Sequence, residues 1–475
     1  MKILIHGFGT YAIFFYEVIK LSMKCNDDIS WSIILPTAHY LKNFEQLLGK
    51  ENVYYLHDEL MDGDKINISL LKNYKGNIYR DIESDKKTIK KKKAYKQERN
   101  AFFTYLAYKK ILISSGAEYI VFPHVESHEG MILHSLAKEL GISAIVPTHT
   151  RCLGNSFFSE EITEKLPVYA KSSLLLRDKA ENFLKKFNEN NISAMSYPSV
   201  LENKKGNIDK VFKRNIFRRV FDYGKQLFTE KSYQSFDGIR YRLLNNLPLM
   251  RDFIWNIRTY YNQKIYDYSS LEDLPKKFIY YPLQYSPESS INTPAPYFID
   301  QMRIIDALRL SMPSDVILVV KEHPSCIQVR DGNFIRDLRY KAGIRIAYYR
   351  MDNKEIIKRA SLTVSVTGTA NFEAFLLNKP SLVFGGCFFS EFLGGISTLD
   401  LLKLREIIDT NIGKQISREE QISALTKILS VVYPFVIFTP GDGTKYGDMT
   451  MSKANIKNFY TALLSHIRRL NVIER

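Results

Sequence analysis

Cysteine is scarce in this chain: Cys25, Cys152, Cys326 and Cys387 stand far apart, with no CxxC pair. That spacing supports neither a disulfide framework nor a zinc site. Long apolar runs are missing as well. No stretch approaches the ~18 uncharged residues that a bilayer-spanning helix needs. The run ILSVVYPFVIFTPG after Lys427 is too short and holds two prolines. The first residues, MKILIHGFGT, lack the charged start, apolar middle and small-residue cleavage site of a secretory signal, so a cytoplasmic location is expected. Gly7 and Gly9 do not complete GxGxxG, so dinucleotide binding is not expected. No zinc-finger, RRM or helix-turn-helix signature is present, so nucleic acid is not expected as a partner. Acidic residues are in deficit, giving a net charge of +16. That balance favours anionic partners such as nucleotide phosphates, acidic glycans or anionic lipid.

What is present is globular. Hydrophobic residues make up 45% and charged residues 25% of 475, a length that calls for two domains. Residues 1–165 alternate short apolar runs with helical ones. KILIH (Lys2 to His6) leads into a helix over Tyr11 to Met23; Trp31 to Thr37 and Val53 to Asp58 read as strands. A helix from about Gln97 to Ser115 precedes a strand from Glu118 to His124, a helix from Met131 to Leu140 and the strand ISAIVPT. Residues 166–275 are rich in Lys, Arg, Asn and Tyr. There Phe212, Ile216 and Val220 share a helical face opposite Lys210, Arg214 and Arg218, which predicts a basic helical insertion or linker. Alternation resumes over 276–415 with strands KKFIYYPLQY, DVILVVKEH, RIAYY, LTVSVTG and SLVFGG separated by helices, and 416–475 reads as helices that could return to the N-terminal domain. Strand–helix alternation predicts parallel sheets covered on both faces. The expected class is α/β: two doubly wound, Rossmann-like domains facing across a cleft in the GT-B arrangement, with donor phosphates at C-terminal strand ends.

Three segments of the second domain could carry chemistry. In VTGTANFEAFLLNKPSLVFG a strand ends, Thr367-Gly368-Thr369 turns and a helix begins. N–H groups, hydroxyls and the positive helix end converge there, as phosphate binding requires. Glu373, about a turn into the helix, could accept hydrogen bonds from ribose. Thr369 as a plain helix cap and Gly368 as a plain turn residue fit the same pattern. Lys321-Glu322-His323-Pro324 ends the apolar strand VILVV. A histidine on that rigid turn could neutralise a departing phosphate, or be an ordinary loop residue. In PLQYSPESS, Glu288 lies between a proline and serines, a placement suited to a nucleophile or base and equally to the start of a helix.

Together, in this order, KEHPS, SVTGTANFEA and NKPSLVFG resemble the bacterial capsule and lipopolysaccharide glycosyltransferases, including the Kdo transferases and, more distantly, the sialyltransferases. The resemblance covers about Lys276 to Gly385, roughly a quarter of the chain. It implies transfer of Kdo or a related acidic sugar from a CMP donor, with no metal and no cofactor beyond that co-substrate. It places the nucleotide on Gln284, Lys321, His323, Thr367, Gly368, Thr369 and Glu373, and the catalytic role on His323 and Glu288. The family's usual acid at the last position is Asp, so Glu288 departs from the pattern by one methylene. A CDP-polyol phosphotransferase of teichoic-acid type, a UDP-sugar transferase and a non-catalytic glycan-binding or export protein are the competing readings.

The acceptor, a glycan or lipid-linked glycan, is expected on the N-terminal side. His124, Glu126, His128 and Glu129 follow a strand there and could supply a base, bind a sugar, hold a metal or cap a helix. Gly7 and Gly9 are read as room for close backbone approach. Lys86 to Lys96 reads as a solvated basic run. The basic face at Lys210, Lys213, Arg214, Arg218 and Arg219 packs internally or meets an anionic membrane, which would make the protein peripheral on the inner face of the cytoplasmic membrane.

Overall fold

A computed structural model describes residues 1–25, 27–60, 66–85, 93–150, 155–189, 265–285, 289–323, 326, 330, 332–395, 399–440 and 445–473. Glu288, the basic face at 210–219 and most of the basic run at 86–96 therefore lie outside the described residues. The chain divides into two compact units, one of Met1–Ser172 with Lys427–Arg475 and one of Ser173–Thr426. The second unit thus takes in residues 173–189 and 265–275 of the segment read as a linker. No helix among the described residues is long and apolar enough to cross a membrane.

The first unit is built on β1 (Lys2–His6), β2 (Ser30–Leu35), β3 (Val53–Tyr55), β4 (Tyr119–Val121), β5 (Ser143–His149) and β6 (Ser156–Ser159), in the order β3-β2-β1-β4-β5-β6. β1 to β5 run parallel and β6 returns antiparallel to β5. The apolar run of β1 follows from burial on both faces. Ile3 and Ile5 pack with Phe14, Phe15 and Phe459, while Leu4 packs with Tyr105, Tyr108 and Phe122. The last helix, Lys453–Ile473, lies in the first of these cores, with Phe459 5.0 Å from Phe14 between ring centroids.

The second unit holds β7 (Phe278–Pro282), β8 (Ile317–Lys321), β9 (Ile344–Ala347), β10 (Leu362–Ser365), β11 (Ser381–Val383) and β12 (Gly394–Gly395), all parallel, in the order β12-β11-β10-β7-β8-β9. Taken in chain order, both sheets share one plan. The first strand is central, the next two extend to one side, and the chain then returns to build the other side. That is the doubly wound order 3-2-1-4-5-6. Helices Gln301–Ser311, Gly332–Arg339 and Leu404–Asn411 cover one face of the second sheet, and Asn353–Arg359 and Thr369–Leu376 cover the other.

Two strand assignments change. Val53 to Asp58 is a strand only to Tyr55, and Leu56–Glu59 is a helical turn. β6 carries no long apolar run; it forms because Ser156–Ser159 pairs with β5 on one side and meets Tyr433 on the other.

Candidate functional site

A doubly wound sheet opens a crevice where its strand order reverses, beyond the carboxyl ends of the two strands concerned. In the second unit these strands are β7 and β10, and Gln284 and Thr367 emerge from them. Gln284 Nε2 donates to Thr367 Oγ1 at 3.0 Å, and Thr367 N–H donates to Gln284 Oε1 at 2.9 Å. The Gln284 backbone is gripped in turn by the buried Gln301: Gln301 Oε1 accepts its N–H at 2.9 Å and Gln301 Nε2 donates to its carbonyl at 3.1 Å. Gln301 opens its helix behind the cap Asp300.

The turn after β10 is fastened from below. Ser365 Oγ accepts the Gly368 N–H at 2.9 Å and donates to Asn371 Oδ1 at 2.6 Å, and Asn371 Nδ2 donates to the Leu382 carbonyl. A Cβ at position 368 would stand 2.8 Å from Ser365 Oγ, so a larger residue there would displace the hydroxyl that fastens the turn. This geometry redistributes the roles read from sequence. The N–H groups of Thr367 and Gly368 serve protein partners rather than standing exposed. Helix Thr369–Leu376 has no side-chain cap, so the Thr369 and Ala370 N–H groups and the half-buried Thr369 hydroxyl are what this turn offers an anion.

At the end of β8 the side chains part to opposite faces. Lys321 is buried, and its Nζ donates to Asn353 Oδ1 at 2.6 Å, the atom that also accepts the Tyr280 hydroxyl at 2.8 Å. Burial pushes its pKa down to about 8, against the pull of Asp352, Glu322 and Glu373. Glu373 is buried too, close enough to act electrostatically on Tyr280, Lys321 and Lys354. The structure thus gives Lys321 and Glu373, both read as nucleotide contacts, a charge-balancing place in the sheet–helix layer. His323 is only partly buried, its ring edge-on to Tyr285 at 6.0 Å.

Two residues that sequence reasoning passed over, Glu322 as a side chain and Arg330, complete the site. Arg330 Nε meets Glu322 Oε2 at 2.6 Å, both side chains being at most 9% exposed. Arg330 Nη2 donates to the Gln284 carbonyl at 2.7 Å, and the His323 N–H donates to Glu322 Oε1 at 2.6 Å. Burial lifts the Glu322 carboxyl, and the Arg330 charge opposes it.

In the first unit the order reverses between β1 and β4. Gly7 packs closely against β2: a Cβ would lie 2.8 Å from Ile33 Cδ1 and Leu35 Cδ2 and 3.0 Å from the Ile34 carbonyl oxygen. Gly9 takes a left-handed φ of +55°. The four acceptor-side candidates fall into two pairs. His124 lies edge-on to Tyr11 at 4.7 Å, with its Nε2 3.1 Å from Glu126 Oε2. His128 is buried, with Nδ1 2.6 Å from Asp85 Oδ2. The carboxyl of its neighbour Glu129 is raised by burial, with His128 opposing and Asp85 reinforcing the shift. Beside them is a residue the sequence reading missed, His6. Its buried ring lies among Phe8, Tyr108 and Phe122 and is pushed down to about 3, first by burial and then by His124.

No protein-family model matches the chain, and no curated protein matches it in sequence. Solved structures do. The UDP-GlcNAc 2-epimerase of Methanocaldococcus jannaschii is 14% identical, with 90% of this chain and 99% of that one covered and a TM-score of 0.26. A β-Kdo 2,4 transferase, KpsC of Thermosulfurimonas dismutans, is 12% identical over 65% of this chain and 79% of that one, at a TM-score of 0.35. Anabaena HepE, in complex with UDP-glucose, is 8% identical over 99% and 100%, at 0.24. Likeness at this level concerns the fold alone, and assigns no residue of this chain a role.

Proposed function

We propose that this chain is a glycosyltransferase of bacterial surface-polysaccharide synthesis, working from a nucleotide-sugar donor held at the β7–β10 crevice of the second unit. The observation that carries the reading is the Gln284–Thr367 clasp between the ends of β7 and β10, with an uncapped helix N-terminus just after β10 and a partly exposed His323 just after β8, on the other side of β7. A helix end and an imidazole are the groups that stabilise charge on a departing phosphate without a metal. On the resemblance of residues 276–385, the donor is CMP-linked Kdo or a related acidic sugar. As the bond from anomeric carbon to phosphate oxygen breaks, the electron pair leaves with the phosphate. His323 donates a hydrogen bond to that phosphate, the Thr369 and Ala370 N–H groups face it, and Glu288 acts at the anomeric carbon. The acceptor glycan or lipid-linked glycan is assigned to the first unit, where His124, Glu126, His128 and Glu129 are the candidate contacts. The +16 charge favours work beside an anionic membrane face.

A thermal-shift series with CMP, CDP, UMP and UDP tests the donor class. Ligand at 100 times its Kd stabilises a folded protein by about 2.7 kcal/mol, a readily visible shift. Preference for CMP supports the reading. CDP preference favours polyol-phosphate transfer, UDP preference a UDP-sugar transferase, and no shift with any of them a non-catalytic glycan-binding protein.

A further inference from the structure

Glu322 and Arg330 stand eight residues apart in sequence, yet every hydrogen bond described for their side chains joins segments of the crevice. Glu322 uses both carboxylate oxygens: Oε2 takes Arg330 Nε at 2.6 Å and Oε1 takes the His323 N–H at 2.6 Å. Arg330 reaches past the carboxylate to the Gln284 carbonyl at 2.7 Å, and its guanidinium lies 4.9 Å from the Phe334 ring centroid. Two backbone hydrogen bonds support this reach, Cys326 N–H donating to the His323 carbonyl and Arg330 N–H to the Cys326 carbonyl, at 2.8 and 2.9 Å. An unbroken path of hydrogen bonds therefore runs from His323 through Glu322, Arg330 and Gln284 to Thr367, across the ends of β8, β7 and β10.

We infer that Glu322 and Arg330 are a positioning pair, which sets the His323 turn against Gln284 and so fixes both sides of the nucleotide crevice in one geometry. A buried ion pair adds little net stability over apolar residues of the same volume, so the fold alone does not call for this one. What the pair supplies is direction. The planar fork of arginine can satisfy the Glu322 carboxylate and the Gln284 carbonyl at once, whereas a lysine ammonium offers one point of charge on a flexible stem. The inference rests on the nucleotide role proposed for His323, and its test is chosen to separate the two.

The first measurement needs no ligand. The His323 ring resonances, assigned by their loss in His323→Ala, are compared among wild type, Arg330→Lys and the double variant Glu322→Met/Arg330→Met. The double variant removes both charges together and is expected to retain the fold. Displaced or broadened His323 resonances in a variant that melts cooperatively are the expected result; unmoved resonances in such a variant overturn the pairing. The second measurement is calorimetry with CMP and UDP on wild type, Arg330→Lys, His323→Ala and their combination. Arg330→Lys is expected to lower nucleotide affinity about tenfold, with no further loss once His323 is alanine, the mark of residues acting as one unit. Additive losses overturn a role through His323. If wild type binds no nucleotide, the proposed function fails, and the resonances still decide whether the pair positions the turn.

Discussion

Gln284 and Thr367, far apart in sequence, exchange two hydrogen bonds of 3.0 and 2.9 Å across the reversal of strand order in the second sheet. Thr367 is 2% exposed, so Gln284→Ala leaves a buried N–H without its carbonyl-oxygen partner as well as removing the bond to the hydroxyl. Such losses cost roughly 2–3 kcal/mol. Urea denaturation should show that drop, and a loss below about 0.5 kcal/mol would mean that the crevice is held by other contacts.

Thr367 and Thr369 should separate cleanly. Thr367→Val removes only the hydroxyl that accepts from Gln284 Nε2, and should cost about 1 kcal/mol of stability. Thr369 is half-buried at the head of an uncapped helix. Thr369→Val should leave stability within about 0.5 kcal/mol and weaken nucleotide binding by about 1–3 kcal/mol, the scale of a hydrogen bond to a charged group. Equal nucleotide affinity of the wild type and Thr369→Val in calorimetry would confine this residue to a structural part.

His323→Ala should abolish transfer with an unchanged melting temperature, since the ring lies on a partly exposed turn and supports no core. Turnover at the wild-type rate by a folded His323→Ala protein would take the residue out of the mechanism.

His6 makes an acid-stability prediction. Burial holds its ring near 3 in the folded chain, while an unfolded histidine titrates near ~6.5. Below that value the unfolded state binds a proton that the folded state refuses. Stability is therefore full above pH ~6.5 and falls with pH towards 3, by about 1.4 kcal/mol per unit for one such group. His134 and His466, lowered to about 4 and about 3, mainly by burial, act in the same direction. Neither ring nitrogen of His6 has a hydrogen-bond partner, so His6→Phe sacrifices no bond and should remove this share of the slope. At pH 5 the variant should gain about 2 kcal/mol on wild type relative to their difference at pH 7.5. Parallel pH–stability curves for the two proteins would contradict a neutral, buried His6.

Both doubly wound sheets were legible because parallel strands buried on two faces must be written as unbroken apolar runs such as VILVV. β6 is not, since the short SFFS carries no apolar run of its own and is held between β5 and Tyr433, the latter distant in sequence. The placement of Gln284, His323 and the Thr367–Thr369 turn just beyond strand ends is legible from the apolar runs that precede them. The burial of Lys321 is not legible in the sequence, because a charged residue at a strand end looks like the start of a loop. The alternation that sends Val319 to the helix face sends Lys321 there as well, beneath Asn353. Arg330 carries no periodic or motif signal at all; its partners Glu322 and the Gln284 carbonyl are set by the fold.

Glu288 makes the last prediction. It lies outside the described residues, and the case for it is chemical: a carboxylate four residues after Gln284, following the strand that forms one side of the crevice. If it attacks the anomeric carbon, the nucleotide leaves, a glycosyl-enzyme forms, and a second displacement by the acceptor retains configuration. Glu288→Gln keeps the shape and removes the charge, so donor affinity should stay within about threefold while transfer is lost, since only an interaction made at the reacting centre is removed. Intact-protein mass spectrometry of wild type with donor and no acceptor should show the added sugar, and peptide mapping should place it on Glu288. NMR of the product separates the two stereochemical routes. A retained anomeric configuration agrees with two displacements, whereas an inverted product requires direct attack by the acceptor and rules out Glu288 as nucleophile.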